Sequence, residues 1–166
     1  MVPGSVAPEF ALTSTDGTFL SPGAFRGRLL VLYFYPRDDT TGCTAEACSF
    51  RDLYAQFAHV GAGIVGVSPD PVKSHQRFSQ KHGLPFPLLA DPGALVCRAY
   101  GVWKEKSMYG RRYMGVERST FVIDGTGIVR AVSRKVSVPG HSEAVLAQLR
   151  RIADQAAPGP SAAPGT

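Results

Sequence analysis

The chain alternates between short apolar runs and longer stretches in which apolar residues recur every three or four positions. Leu29 to Tyr35 is an unbroken apolar and aromatic run closed by Pro36, as expected of a strand buried on both faces. Ile64 to Val67, Phe86 to Leu89, Ser119 to Ile123 and Ile128 to Ser133 read as further strands, the last two joined through Asp124-Gly125-Thr126-Gly127. Phe10 to Leu12 and Phe19-Leu20 flank Asp16-Gly17 and predict a short hairpin. Phe50, Leu53, Tyr54 and Phe57 fall at i, i+3, i+4 and i+7, which predicts one helix from Cys43 to about His59, broken by Gly61 and Gly63. A second helix spans Val72 to His82 and stops at Gly83, and a short one covers Ala94 to Tyr100. Lys104 to Arg112 reads as a polar, basic connection. Val145, Leu146, Leu149 and Ile152 place a closing helix over Ser142 to Ala153. This order predicts an α/β fold, a central mixed sheet flanked by helices.

Composition narrows the class. With 166 residues, 44% hydrophobic and 19% charged, the chain fits one globular domain that needs no disulfide staple. The domain is expected over residues 1–156; the Pro, Gly, Ala and Ser stretch Ala157 to Thr166 cannot bury a core and reads as a disordered tail. The net charge is +5, but the 18 basic residues are scattered apart from Arg111-Arg112 and Arg150-Arg151. No basic stripe interleaved with aromatics supports nucleic-acid binding. The start does not read as a signal peptide and no apolar run is long enough for a membrane span. Three cysteines, an odd number, favour a reducing compartment and a chemical role for at least one of them, so a cytoplasmic protein is expected.

Cys43 is the candidate nucleophile. It stands where a polar turn after the Leu29–Tyr35 strand meets the start of a helix, at the carboxyl end of that strand, where open α/β sheets place their sites. Unpaired N–H groups and the positive end of the helix dipole favour thiolate over thiol there. Gly42 lets backbone come close to a ligand. Thr40 reads first as a helix cap, and alternatively as a hydroxyl aimed at a bound oxygen substrate. Cys48 lies five residues on, about 7.5 Å of rise and roughly 140° of rotation along an intact helix. The two sulfurs therefore bond only if the first turns unwind. Cys97 reads as a buried structural cysteine. Arg118 precedes the strand STFVID and either pairs with a surface acid or reaches over Cys43. The cysteines and the four histidines show no zinc spacing, no metal is expected, and no motif places a histidine beside a cysteine.

These residues resemble the peroxiredoxins, specifically the bacterioferritin-comigratory or peroxiredoxin Q subfamily. YFYPRDDTTGCTAEAC matches its P-x-x-x-T-x-x-C motif, with a further cysteine five positions on, and APEFAL, SPDPVKSHQRFSQKHGLPFPLLADP, YGVWKEKSMYGRRYMGVERSTFVID and GHSEAVLAQL resemble its flanks to about Ala153. The resemblance implies a thioredoxin-like fold and a thiol-dependent peroxidase that reduces hydrogen peroxide and organic hydroperoxides. Carried over by position, Cys43 is the peroxidatic cysteine, Cys48 the resolving cysteine and Thr40 the hydroxyl that orients peroxide. Pro36 shields the pocket, and Arg118 stabilises the thiolate and the reacting oxygens. It further implies no cofactor, an intramolecular disulfide recycled by thioredoxin or a similar dithiol protein, and a monomer. Thr41 stands where the subfamily commonly has proline, and Cys97 is an additional thiol that is a second candidate to resolve Cys43. The alternative function is a thioredoxin-like disulfide exchanger, against which the absence of C-x-x-C counts.

Overall fold

A computed structural model of the chain describes residues 1–156, so the expected tail over 157–166 lies outside the described residues. The apolar run after Arg28 is an interior strand of a seven-stranded mixed sheet. In chain order the strands are β1 (Leu12–Ser14), β2 (Phe19–Leu20), β3 (Leu29–Phe34), β4 (Ala62–Ser68), β5 (Leu88–Ala90), β6 (Trp103–Met108), β7 (Arg111–Val116), β8 (Ser119–Ile123) and β9 (Val129–Ser133). The helices are α1 (Thr41–Asp52), α2 (Tyr54–His59), α3 (Val72–His82), α4 (Leu95–Ala99) and α5 (His141–Ala156). The sheet runs β2-β1-β5-β4-β3-β8-β9, and β6 and β7 form a separate pair. β3 pairs in parallel with β4 and antiparallel with β8, in a register that sets Phe34 opposite Ser119.

Alternation along β3 divides the core. Val31, Tyr33 and Tyr35 face one cluster with Phe50, Phe57, Phe78 and Leu149, from α1, α2, α3 and α5. Leu30, Leu32 and Phe34 face the other, with Val65, Cys97, Tyr100 and Phe121. Both faces are therefore dry, which is why β3 carries no polar alternation. Among the described residues no helix is long and apolar enough to cross a membrane.

Three expectations are corrected. The single helix from Cys43 to His59 is two helices that begin at Thr41 and break at Leu53 (φ −100°, ψ 5°). The apolar period runs through the break because Phe50 and Phe57 pack into one cluster. The Lys104 to Arg112 connection is the β6–β7 hairpin, whose side chains stand largely in solvent and so carry no burial pattern. Its turn has positive φ at both Tyr109 (53°) and Gly110 (76°), the geometry that matches the twist of a tight hairpin. The third strand begins at Leu88 rather than Phe86, because Pro85 and Pro87 supply no N–H for a ladder.

Candidate functional site

The chain leaves β3 at Phe34 and reaches α1 through Tyr35 to Thr40. Asp39 turns this loop with a positive φ of 59°, an uncommon conformation for a residue with a side chain. Thr40 then holds the extended backbone of an N-cap, and its carbonyl accepts the first helical bond from Thr44 N–H at 2.9 Å. The capping expectation for its side chain is corrected: the Thr40 hydroxyl donates back to the Arg37 carbonyl at 3.0 Å and caps no N–H of α1. Gly42 and Cys43 thus lie in a first helical turn whose N–H groups have no intrahelical acceptor.

Cys43 is buried, 2% exposed, and its sulfur accepts a hydrogen bond from Arg118 Nη2 at 3.3 Å. The β3–β8 register explains the meeting. Phe34 opposite Ser119 puts Arg118, one residue before β8, beside the chain as it leaves β3. Gly42 has a more specific reason than close backbone approach to a ligand, since a Cβ there would stand 3.2 Å from Arg118 Nη2.

Arg118 does not pair with a surface acid. Its Nη1 donates to Glu46 Oε1 at 2.6 Å, and Glu46 is fully buried. Glu46 was not anticipated as a site residue from the sequence. Its spacing from Cys43, i to i+3, was the signal, because residues so spaced share a helix face. Burial pushes the Glu46 carboxyl up to about 7, against the opposing attraction of Arg118. Burial works against the Arg118 charge, but Glu46 and Cys43 outweigh it and hold the guanidinium above its ordinary value. Among the described residues Glu46 Oε2 and the Tyr33 hydroxyl have no hydrogen-bond partner.

Pro36 and Thr40 line one side of a cleft of about 430 Å³, and Trp103, Lys106, Met108 and Tyr113 of the β6–β7 hairpin line the other. Lys106 is held below its ordinary value, first by burial and then by Arg118. A larger cavity of about 620 Å³, bordered by Arg28, Tyr54 and Phe86, touches none of the candidate residues.

The three cysteines are unbonded. Cys48 is half-buried on intact α1, so its separation from Cys43 is that of the helix. Cys97 is fully buried in the cluster on the opposite face of the sheet from Cys43, which leaves Cys48 as the cysteine on the same element. Burial pushes the Cys97 thiol far up, and the neighbouring Asp91 adds to it.

Beside the site lies a polar network that was not anticipated. The buried Asp38 carboxylate accepts from Tyr35 Oη at 2.6 Å and Ser74 Oγ at 2.7 Å, and stands 2.7 Å from His75 Nδ1. His75 Nε2 donates to the Leu89 carbonyl at 3.0 Å, and Asp38 N–H donates to Asp70 Oδ2 at 2.7 Å. Burial works against the Asp38 charge, yet the hydrogen bond and charge of His75 and the two hydroxyls hold its carboxyl below the usual range. Asp38, Asp70 and His75 bring three potential metal donors together, but their hydrogen bonds already occupy them.

A model of the AhpC/TSA family matches residues 3–132. The chain is 43% identical over 152 residues to peroxiredoxin Bcp of Bacillus subtilis, covering 92% of this chain and 97% of that one. It is 47% identical over 147 residues to peroxiredoxin Bcp of Xanthomonas campestris, covering 89% and 92%. Among solved structures it superposes with a TM-score of 0.84 on the Xanthomonas campestris bacterioferritin comigratory protein, at 45% identity over 92% of this chain and 97% of the other. That structure was described in connection with alkyl peroxide reduction. The fold is thioredoxin-like, as in these neighbours.

Proposed function

The chain belongs to the AhpC/TSA family, in its Bcp or peroxiredoxin Q branch, and is a thiol-dependent peroxidase; we propose that Cys43 is its peroxidatic cysteine and Cys48 its resolving cysteine. The observation that carries this reading is the buried Cys43 sulfur in the first turn of α1 with the Arg118 guanidinium 3.3 Å away. A thiolate there attacks one peroxide oxygen in line with the O–O bond. The S–O bond forms, the O–O bond breaks, and the departing hydroxide or alkoxide takes a proton and leaves as water or alcohol. Arg118 and the N–H groups of Gly42 and Cys43 are the donors for the reacting oxygens, and the Thr40 hydroxyl orients the peroxide. The Thr40 hydroxyl spends its proton on the Arg37 carbonyl, so its oxygen is free to accept from a peroxide O–H. Pro36 shields the cleft mouth. The Met and aromatic side chains of the hairpin suit the organic group of a hydroperoxide as well as hydrogen peroxide itself.

Cys43 is then a sulfenic acid. The first turns of α1 unwind, the Cys48 sulfur attacks the Cys43 sulfur, water departs, and an intramolecular disulfide remains. A cytoplasmic dithiol protein of the thioredoxin type reduces it by exchange and is itself oxidised. The test is one equivalent of hydrogen peroxide on the reduced protein, with disulfides mapped by mass spectrometry in wild type, Cys43→Ser, Cys48→Ser and Cys97→Ser. A Cys43–Cys48 bond is expected, kept in Cys97→Ser and lost in the other two. A Cys43–Cys97 bond would reassign the resolving residue, and an unoxidised Cys43 would remove the reading.

A further inference from the structure

The Asp38–His75 network belongs to neither the peroxide step nor the disulfide step as described. Asp38 lies midway between Pro36 and Thr40 in the loop that delivers α1. Three side chains converge on its carboxylate: Tyr35 from the end of β3, and Ser74 and His75 from α3. Its own N–H is held by Asp70, whose carboxylate is fixed in turn by Ser68 at the end of β4. His75 is fully buried and is itself tied to β5 through the Leu89 carbonyl. The loop's other side-chain ties to α3 both run from Asp39, to Lys81 Nζ at 2.9 Å and to His82 Nε2 at 3.5 Å, and with the Asp39 carboxylate itself half in solvent they contribute little. The loop therefore has one buried anchor, adjoining the left-handed residue Asp39 that turns the chain toward Thr40.

We propose that the Asp38–His75 pair is a positioning device for the peroxidase reaction, fixing the loop so that Thr40 and the first turn of α1 meet the peroxide in line with the Cys43 sulfur. The proposal rests on Cys43 being the peroxidatic residue. Neither Asp38 nor His75 touches the reacting atoms; they act through the backbone from Asp38 to Thr40. A buried, hydrogen-bonded carboxylate suits this role because a small shift of a positioned donor is costly. A misplacement of about 1 Å lowers a rate on the order of 100-fold.

Two reagents separate positioning from general stability. Peroxide needs the aligned donors, whereas iodoacetamide needs only an accessible thiolate. The second-order rate of Cys43 with hydrogen peroxide is measured by stopped flow, and its alkylation by iodoacetamide by peptide mass, in wild type, Asp38→Asn and His75→Asn. The expected result is a fall in the peroxide rate of about 10- to 100-fold with the alkylation rate held within about twofold. Ser74→Ala, which removes one donor from Asp38 and leaves His75 in place, is expected to lower the same ratio several-fold, about 3-fold or more. It carries the test if the other variants do not fold. Rates that fall in parallel, or a peroxide rate that stays at the wild-type value in folded variants, would overturn the proposal. A wild-type Cys43 no faster with peroxide than a free thiol would instead remove the peroxidatic reading, and this proposal with it.

Discussion

Glu46 is the residue whose chemistry is least like its sequence context. A glutamate on a helix would ordinarily sit in water, but this one is fully buried and accepts from Arg118 through Oε1, its only hydrogen-bonded oxygen among the described residues. Because burial holds its folded-state value near 7, against an ordinary value of 4.5, the folded protein keeps a proton that the unfolded chain has lost. Stability from this group is therefore highest below pH 4.5 and falls as pH rises toward 7, after which the penalty is complete. The size of the fall is on the order of 3 kcal/mol. Glu46→Gln mimics the protonated form and should lack that slope, while other titrating groups act equally in both proteins. Urea unfolding at pH 5 and pH 8 measures it: the wild type should lose stability relative to the variant by a few kcal/mol, roughly 3. Equal losses in the two proteins would mean that Glu46 is ionised throughout this range. The cluster of Cys43, Glu46 and Arg118 was half-legible from sequence. The helical i to i+3 spacing was available, but Arg118 is 75 residues from Cys43 and only the antiparallel register of two strands brings them together.

At the scale of elements, α1 must hold Cys43 against Arg118 and yet open toward Cys48. Its start has a conformation that suits a proline. Thr40 is extended (φ −87°, ψ 160°), as the residue before proline prefers, and Thr41 is the first helical residue, whose N–H has no intrahelical acceptor. Thr41→Pro should therefore stabilise the helix start by about 0.5–1 kcal/mol, chiefly by restricting the unfolded chain. If unwinding limits resolution, the step from sulfenic acid to disulfide should slow by about 2- to 5-fold, with the peroxide step unchanged. Two-phase stopped flow resolves these steps, and an unaltered second phase would show that unwinding is not limiting. The elements themselves were unevenly readable. α3 was readable from end to end because Pro71 precedes it and Gly83, at φ 60°, closes it. The break at Leu53 left no mark, since the core-facing period continues across it. The β6–β7 hairpin left none either: Tyr109 at its tip is 98% exposed and Met108 and Met114 are half in water, so neither face alternates.

Across the whole molecule, oxidation should divide the structure into a part that opens and a part that does not. A disulfide needs Cα atoms within about 6.8 Å and converging Cβ bonds, which an intact helix denies to residues five apart. Opening the turn from Thr41 to Cys48 withdraws Cys43 and Ala47 from the core cluster and breaks the Glu46–Arg118 contact. It should stop at Phe50, whose ring lies 4.9 Å from Tyr33 and 5.7 Å from Phe57, tying the rest of α1 to β3 and α2. Upstream the Asp38 network sets the other limit. β3, β4 and β8 are paired along their lengths at the centre of the sheet and need not move. Hydrogen exchange read by mass spectrometry should therefore show protection lost between Thr41 and Phe50 on adding one equivalent of peroxide, with β3, β4 and β8 unchanged. Cys48→Ser treated in the same way should keep its protection, because a sulfenic acid alone does not require opening. Protection retained over Thr41 to Phe50 in the disulfide form would contradict the geometry of the helix, and protection lost through the sheet would mean that α1 is a keystone of the core rather than a hinged segment on it.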